Sequence, residues 1–176
     1  MIASGSDLRA ASVEDVWTAA HRFPTGVSVV TTGTGERIHG STVSTFTFVS
    51  REPPLVGVWL SQNSALLAMI REHGCFTVNV LSTEQAGLAR HFASRRRGSG
   101  RHQFAGLNWD DGDCAVPRLA HTVCWLHCHE HAHLAVGDHV LVVSNVRSLA
   151  HSNLTPLLYF AGSLHPGAIH TEDALR

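Results

Sequence analysis

A mainly β fold, closed or split into a barrel and flanked by short helices, is what this sequence predicts. Three observations carry it. β-branched and apolar runs recur at 27–32, 41–49, 55–60, 75–81, 123–134, 139–146 and 157–160. Only the stretches 12–20, 64–72 and 82–92 carry helix caps or a helical apolar stripe. The strands therefore outnumber the helices, which disfavours a doubly wound parallel sheet.

The elements follow in order. Residues 1–11 read as a loose N-terminus, 12–170 as one domain and 171–176 as a tail. Ser12 and Asp15 stand in an N-cap and N3 relation, an aspartate form of the capping box, so a short helix runs to Ala19 or Ala20. Phe23-Pro24-Thr25-Gly26 ends it. The stretch 27–32 is the first strand, 33–40 a turn region, 41–49 the second strand and 55–60 the third. Pro53-Pro54 separates the last two and has no place inside a central strand. In 64–72, Leu66, Leu67 and Ile70 form a helical stripe. CFTVNVL at 75–81 is a strand, and Ser82 with Gln85 at N3 caps the next helix through Phe92. The basic stretch SRRRGSGRH at 94–102 reads as a flexible loop. Two antiparallel strands meet across Gly137-Asp138, and 157–160 is the last strand.

Composition narrows the class. The chain has 176 residues, 44% hydrophobic and 15% charged, enough for one packed domain. A formal net charge of −1 favours neither nucleic acid nor an anionic membrane surface as partner. Four cysteines without a CxxC pair read as reduced thiols, and so as a cytoplasmic protein. The N-terminus lacks the apolar core of a signal peptide, and no apolar run approaches the roughly 20 residues a spanning helix needs.

The side-chain constellations point less sharply. Ser41, Thr42, Ser44 and Thr45 place hydroxyls on a strand, which serves either a phosphorylated cofactor or an exposed surface. Alternation along 41–49 sends Thr42, Ser44, Phe46 and Phe48 to one side. His127, His129, His131 and His133 recur every second residue, so on a strand all four face one side. Spread at about 3.3 Å per residue, they do not converge on a metal without ligands from elsewhere. No metal site is therefore assigned, and Cys75 reads as a core thiol. Nucleophile elbow, P-loop and complete GxGxxG are all absent. Asp138-His139 either aims a carboxylate-oriented imidazole into a cleft or makes an ordinary turn. The run Arg95-Arg96-Arg97, with Arg101, binds phosphate or solvent.

Seven segments in this order resemble the short flavin reductase family. They are FPTGVSVVTT, HGSTVSTFTFVSREPPLV, SQNSALLAMIREHGCFTVNVL, LARHFA, FAGLNW, AVGDHVLVV and PLLYFAG. The similarity runs from about residue 16 to 165. It implies an FMN-binding split barrel that passes hydride from NADH or NADPH to FMN or FAD. It also implies a homodimer that supplies reduced flavin to a separate flavin-dependent monooxygenase. On the family's pattern, Ser41, Thr42, Val43, Ser44 and Thr45 line the isoalloxazine and ribityl chain. Gln62, Asn63 and Ser64 lie near the ribityl phosphate, and Asn79, Val80 and Leu81 frame the flavin. Phe92 and Arg101 are phosphate or nucleotide neighbours, and His139 of the GDH motif stands at the nicotinamide face. Two departures leave FMN against FAD open. Ser64 is followed by Ala65-Leu66, which removes a phosphate hydroxyl, and Val143-Ser144-Asn145 lacks the family's glycine. A flavin-binding carrier without catalysis and a metal enzyme built on the histidine strand are the alternatives.

Overall fold

The computed structural model describes residues 10–167. The tail expected at 171–176 lies outside them, as does the loose N-terminus except for Ala10 and Ala11. The fold is mainly β. A seven-stranded sheet runs in the order β3-β2-β6-β9-β10-β5-β4. Its members are β2 (Ser28–Thr34), β3 (Arg37–Val43), β4 (Phe46–Ser50), β5 (Leu55–Ser61), β6 (Cys75–Val80), β9 (Cys124–Val136) and β10 (His139–His151). β1 (Thr25–Gly26), β11 (Leu157–Phe160) and β12 (Ser163–Pro166) form a second sheet. β7 (Trp109–Asp111) and β8 (Pro117–Leu119) pair as a small hairpin. The helices are α1 (Val13–Ala20), α2 (Ala65–His73) and α3 (Ala86–Ala93).

Strand order dictates the shape. β3 and β4 are the two edges of the seven-stranded sheet, yet only Ser44 and Thr45 separate them in sequence. A flat sheet would hold those edges about 29 Å apart, six strand spacings of about 4.8 Å. The chain from Val43 to Phe46 reaches at most about 11 Å. The sheet must therefore curl until its edges meet at Ser44-Thr45. β3 and β4 share no ladder, so the barrel is split along that seam.

The expected single strand at 41–49 is thus two strands. The turn expected at 33–40 shrinks to Gly35-Glu36, because Thr34 pairs with Arg37. Gly35 takes φ +60, which a tight hairpin needs and glycine supplies without strain. Gly40 serves a different purpose: a Cβ there would lie 2.5 Å from Cε1 of Phe92. The expected alternation across 41–49 is lost at the corner.

Two apolar clusters sit on opposite faces of β2. Val30 packs with Leu66, Leu67 and Ile70 of α2 against Val58, Phe76, Val78 and Val142. Its neighbour Val29 packs with Ile38, Ala89, Phe92, Phe104, Leu119 and Leu157. The caps expected from the sequence are present. Ser12 and Asp15 form a capping box on α1, and the Ser64 hydroxyl accepts from Leu67 N–H on α2. Ser82 and Gln85 close a reciprocal box on a 3₁₀ turn that leads into α3.

The histidine strand departs from its expected geometry. β9 and β10 change register between Val143 and Ser144, opposite His131. The extra residue turns the strand. His127 and His129 stack edge to face with ring centroids 5.3 Å apart. His133 turns instead toward Glu130 at 3.5 Å and Arg71 of α2 at 3.4 Å. The basic stretch is likewise more ordered than expected, since Arg97 is partly buried beside His39 and donates to the Ser94 carbonyl at 2.6 Å.

Candidate functional site

A cavity of about 880 Å³ opens at the split of the barrel. Thr42, Val43, Ser44 and Thr45 form one wall. Trp17, His21 and Phe23 close another, Tyr159 and Leu164 a third, and Ala89, Arg90 and Ala93 of α3 the last. Local structure explains how these walls meet. α1 stops at His21, whose carbonyl accepts from Ala161 N–H at 2.8 Å. β1 then pairs Thr25 with Tyr159. That pairing lines up Trp17, His21 and Tyr159, with centroid separations of 6.2 and 6.5 Å.

Two of the predicted hydroxyls brace the wall. Thr42 Oγ1 donates to Ala89 O at 2.8 Å and fastens α3 to β3. Thr45 Oγ1 donates to Trp59 O at 2.8 Å and fastens the corner to β5. Their protons are engaged, but their oxygens still accept. The corner residues 44 and 45 belong to neither ladder.

The size lies within the about 300–1,000 Å³ usual for small-molecule sites. The aromatic wall suits a flat apolar ring system, and the strand corner suits a polar ring edge. No carboxylate is among the described residues that line the cavity, while Arg90 and His21 are. That donor set suits an anionic phosphate. A flavin mononucleotide moiety therefore fits this wall chemistry.

The other predicted residues fall elsewhere. Ser41 precedes the wall on β3 and pairs with Val30. Gln62 donates from Nε2 to Gly137 O at 2.7 Å, and its N–H donates to Asp138 O at 2.9 Å. Gln62, Asn63 and Ser64 thus sit at the mouth of the β9–β10 turn, joined to the cavity corner through β5 and Thr45. His139 is at that turn, its Nδ1 2.7 Å from Asp138 Oδ1. The hydrogen bond from His139, and then its charge, hold the Asp138 carboxyl below its usual value.

Asn79, Leu81 and Phe92 have fully buried side chains that do not line the cavity. Asn79 Nδ2 donates to Val29 O at 3.0 Å, and its Oδ1 accepts from Leu119 N–H at 2.9 Å. Val80 packs partly buried against the first cluster. Phe92 sits under Gly40 and so sets the position of α3 rather than touching the cavity. Arg101 lies 5.0 Å above the Trp109 ring. A second cleft of about 550 Å³ gathers Arg95, Arg97 and His39. Burial, reinforced by the Arg97 charge, pushes the His39 imidazole down to about 4.

Sequence reasoning missed Trp17, His21, Phe23, Arg90 and Tyr159. The signal is structural: Trp17 on α1 and Phe23, which opens the FPTG turn, remain 61% and 72% exposed. Large aromatics left in the open beside a polar corner mark a binding surface.

A split barrel whose seam cavity, among the described residues, combines aromatic walls with hydroxyls and an arginine and lacks carboxylates has the wall chemistry for a flat, anionic cofactor. The flavin reductase like domain matches residues 20–168, and this chain belongs to that family. It is 38% identical over 146 residues to an NADPH-flavin oxidoreductase of Streptomyces viridifaciens, covering 82% of this chain and 75% of that one. It is 34% identical over 143 residues to the reductase component of 4-hydroxyphenylacetate 3-monooxygenase from Thermus thermophilus, covering 81% and 88%. Its fold superposes with a TM-score of 0.82 on BorF, the flavin reductase component of a bacterial two-component tryptophan halogenase. That likeness has 29% identity and covers 88% of this chain and 98% of BorF.

Proposed function

We propose that this protein is an NAD(P)H:flavin oxidoreductase that supplies reduced FMN or FAD to a partner monooxygenase. The observation that carries the reading is the seam cavity, with its aromatic wall, hydroxyl-bearing corner and Arg90, in a chain of the flavin reductase family. Bound flavin supplies the hydride-accepting chemistry, so the protein needs no nucleophile. Its residues bind and orient. Thr42 and Thr45 lock the corner to α3 and β5, so the wall is set before the ligand arrives. Trp17 and Tyr159 exclude water from one side. Arg90 takes the phosphate charge. Ser41, Ser44, Gln62, Asn63, Ser64 and Val80 complete the flavin's surroundings in this reading.

His139, held by Asp138, positions the nicotinamide. His139→Ala lowers NAD(P)H turnover more than it weakens flavin binding; kinetics equal to the parent's would remove it from the site. Arg90→Ala raises the KM for flavin several-fold and leaves the KM for NADH unchanged. An unchanged flavin KM would remove the phosphate role. Flavin exchanges as a substrate, so gel filtration yields colourless protein; retained colour would mean a resident cofactor.

The enzyme works as a homodimer in the cytoplasm, where reduced nicotinamide nucleotides are made. Exposed Val13, Val16 and Trp17 on α1 support a second copy at this face. Light scattering at a mass of one chain would refute the dimer.

A further inference from the structure

A cluster outside the flavin cavity joins the histidine strand to two cysteines. Cys75 opens β6, Cys114 lies in the 3₁₀ turn Asp113–Ala115, and His127 lies on β9. One ligand atom from each lies within 4.8 Å of the other two. His129 Nε2 comes within 3.7 Å of Cys114 Sγ. The strand histidines, which do not converge by themselves, thus meet two sulfurs brought from elsewhere in the fold.

We propose that Cys75, Cys114 and His127, with His129 or water in the fourth position, bind one Zn²⁺. Four observations support the site. His127 is 1% exposed, and its Nε2 is buried without a hydrogen-bond partner among the described residues. A buried ring nitrogen lacking a partner is costly, and a metal ion satisfies it. Second, Thr77 Oγ1 lies 3.3 Å from His127 Nδ1. That contact orients the ring and, with the proton on Nδ1, leaves the Nε2 lone pair for the metal.

Third, the turn is built to present Cys114. Cys114 and Ala115 both take φ +56, a backbone region that residues with a Cβ rarely adopt. Ala115 N–H donates to Gly112 O at 3.0 Å, and Asp113 bonds to Ser148 Oγ on β10, so the turn is fixed to the sheet. Fourth, the donor set is right. A tetrahedral zinc at ordinary bond lengths separates its sulfur and nitrogen ligands by about 3.5–3.8 Å. The observed cluster needs only about 1 Å of contraction to reach this. Two thiolates with imidazole nitrogen select zinc over hard cations.

Binding exchanges two thiol protons for the metal and changes no oxidation state. The exposed Cys114 is the point of entry. The site lies at the Cys75 end of β6, away from Val80, and would fasten the turn after β7 to the central sheet. Its role is therefore structural.

The test uses full-length protein, reduced and stripped with a chelator, then titrated with Zn²⁺ against a chromophoric competitor. The expected result is one zinc per chain, with a rise in melting temperature. Co²⁺ in its place should give a thiolate-to-cobalt band in the near ultraviolet. Cys114→Ser, an exposed change that spares the core, loses that band and the thermal gain. Thr77→Val weakens binding about tenfold. No stoichiometric binding by the reduced protein would overturn the proposal. So would binding unaltered in Cys114→Ser, or a Cys75–Cys114 disulfide with no metal in protein purified without reductant.

Discussion

Gly40→Ala tests how the core sets the cavity. The new Cβ would stand 2.5 Å from Cε1 and 2.8 Å from Cδ1 of Phe92. Carbon atoms in contact prefer about 3.5–4.0 Å, so the ring edge must retreat by about 1 Å. It has little room. Phe92 is fully buried, its centroid 5.0 Å from His91 and 5.2 Å from Phe104. Phe104 in turn lies 5.3 Å from Trp109. The displacement therefore passes to α3, which carries Ala89, Arg90 and Ala93 on the cavity wall. Overpacking of this kind costs about 2 kcal/mol. For a chain of this size that lowers the melting temperature by about 4–8 °C. The assay is thermal unfolding together with flavin titration. Flavin affinity falls with stability, because the Thr42–Ala89 bond that fastens α3 is strained. Phe92→Leu in the same chain gives back part of the loss, as coupling between touching residues requires. A melting temperature within about 1 °C of the parent would refute the packing argument.

Other outcomes follow from the same contacts. Asn79→Ala leaves the buried Leu119 N–H without its acceptor, removes the side-chain bond to Val29 O, and costs about 2 kcal/mol by chemical denaturation. A loss under about 1 kcal/mol would show that water replaces the amide. His39, held neutral in the folded chain to about pH 4 against an ordinary 6.5, makes stability depend on acid. Between those values the unfolded chain binds more protons, so stability falls as pH falls through that window. His39→Asn flattens that slope in denaturation series; an unchanged slope would assign it to other groups. Thr45→Val removes the bond to Trp59 O, costs about 1 kcal/mol and raises the flavin KM. An unaltered flavin KM would show that the corner holds without it.

Short-range signals were legible in the sequence, and long-range ones only in part. The capping boxes at Ser12 and Ser82, the α2 stripe and the β9–β10 turn depend on residues within one or two turns of chain, and all are present. The mainly β, split architecture also reads through. The corner at Ser44-Thr45 does not, because TVSTFTFVS has strand propensity throughout, and only the meeting of the sheet edges breaks it. Gly40 looked like turn glycine, but its reason is Phe92, 52 positions away by their residue numbers. β7, β8 and β12 are too short to carry a periodic signal. The hydroxyl wall was named from Thr42 to Thr45, whereas its aromatic half comes from α1 and β11, whose apolar residues looked like ordinary packing. The histidine face was misjudged because a bulge depends on the partner strand's register.

Flavin-dependent oxidation of a reduced nicotinamide is the activity on which the proposed function stands. The most direct measurement mixes protein, NADH or NADPH, and FMN or FAD without oxygen, and follows flavin absorbance. Rapid bleaching is expected, requiring protein, nucleotide and flavin together and slowing in His139→Ala. Flavin that binds at the cavity yet keeps its colour with either nucleotide would contradict it and leave a flavin carrier in its place.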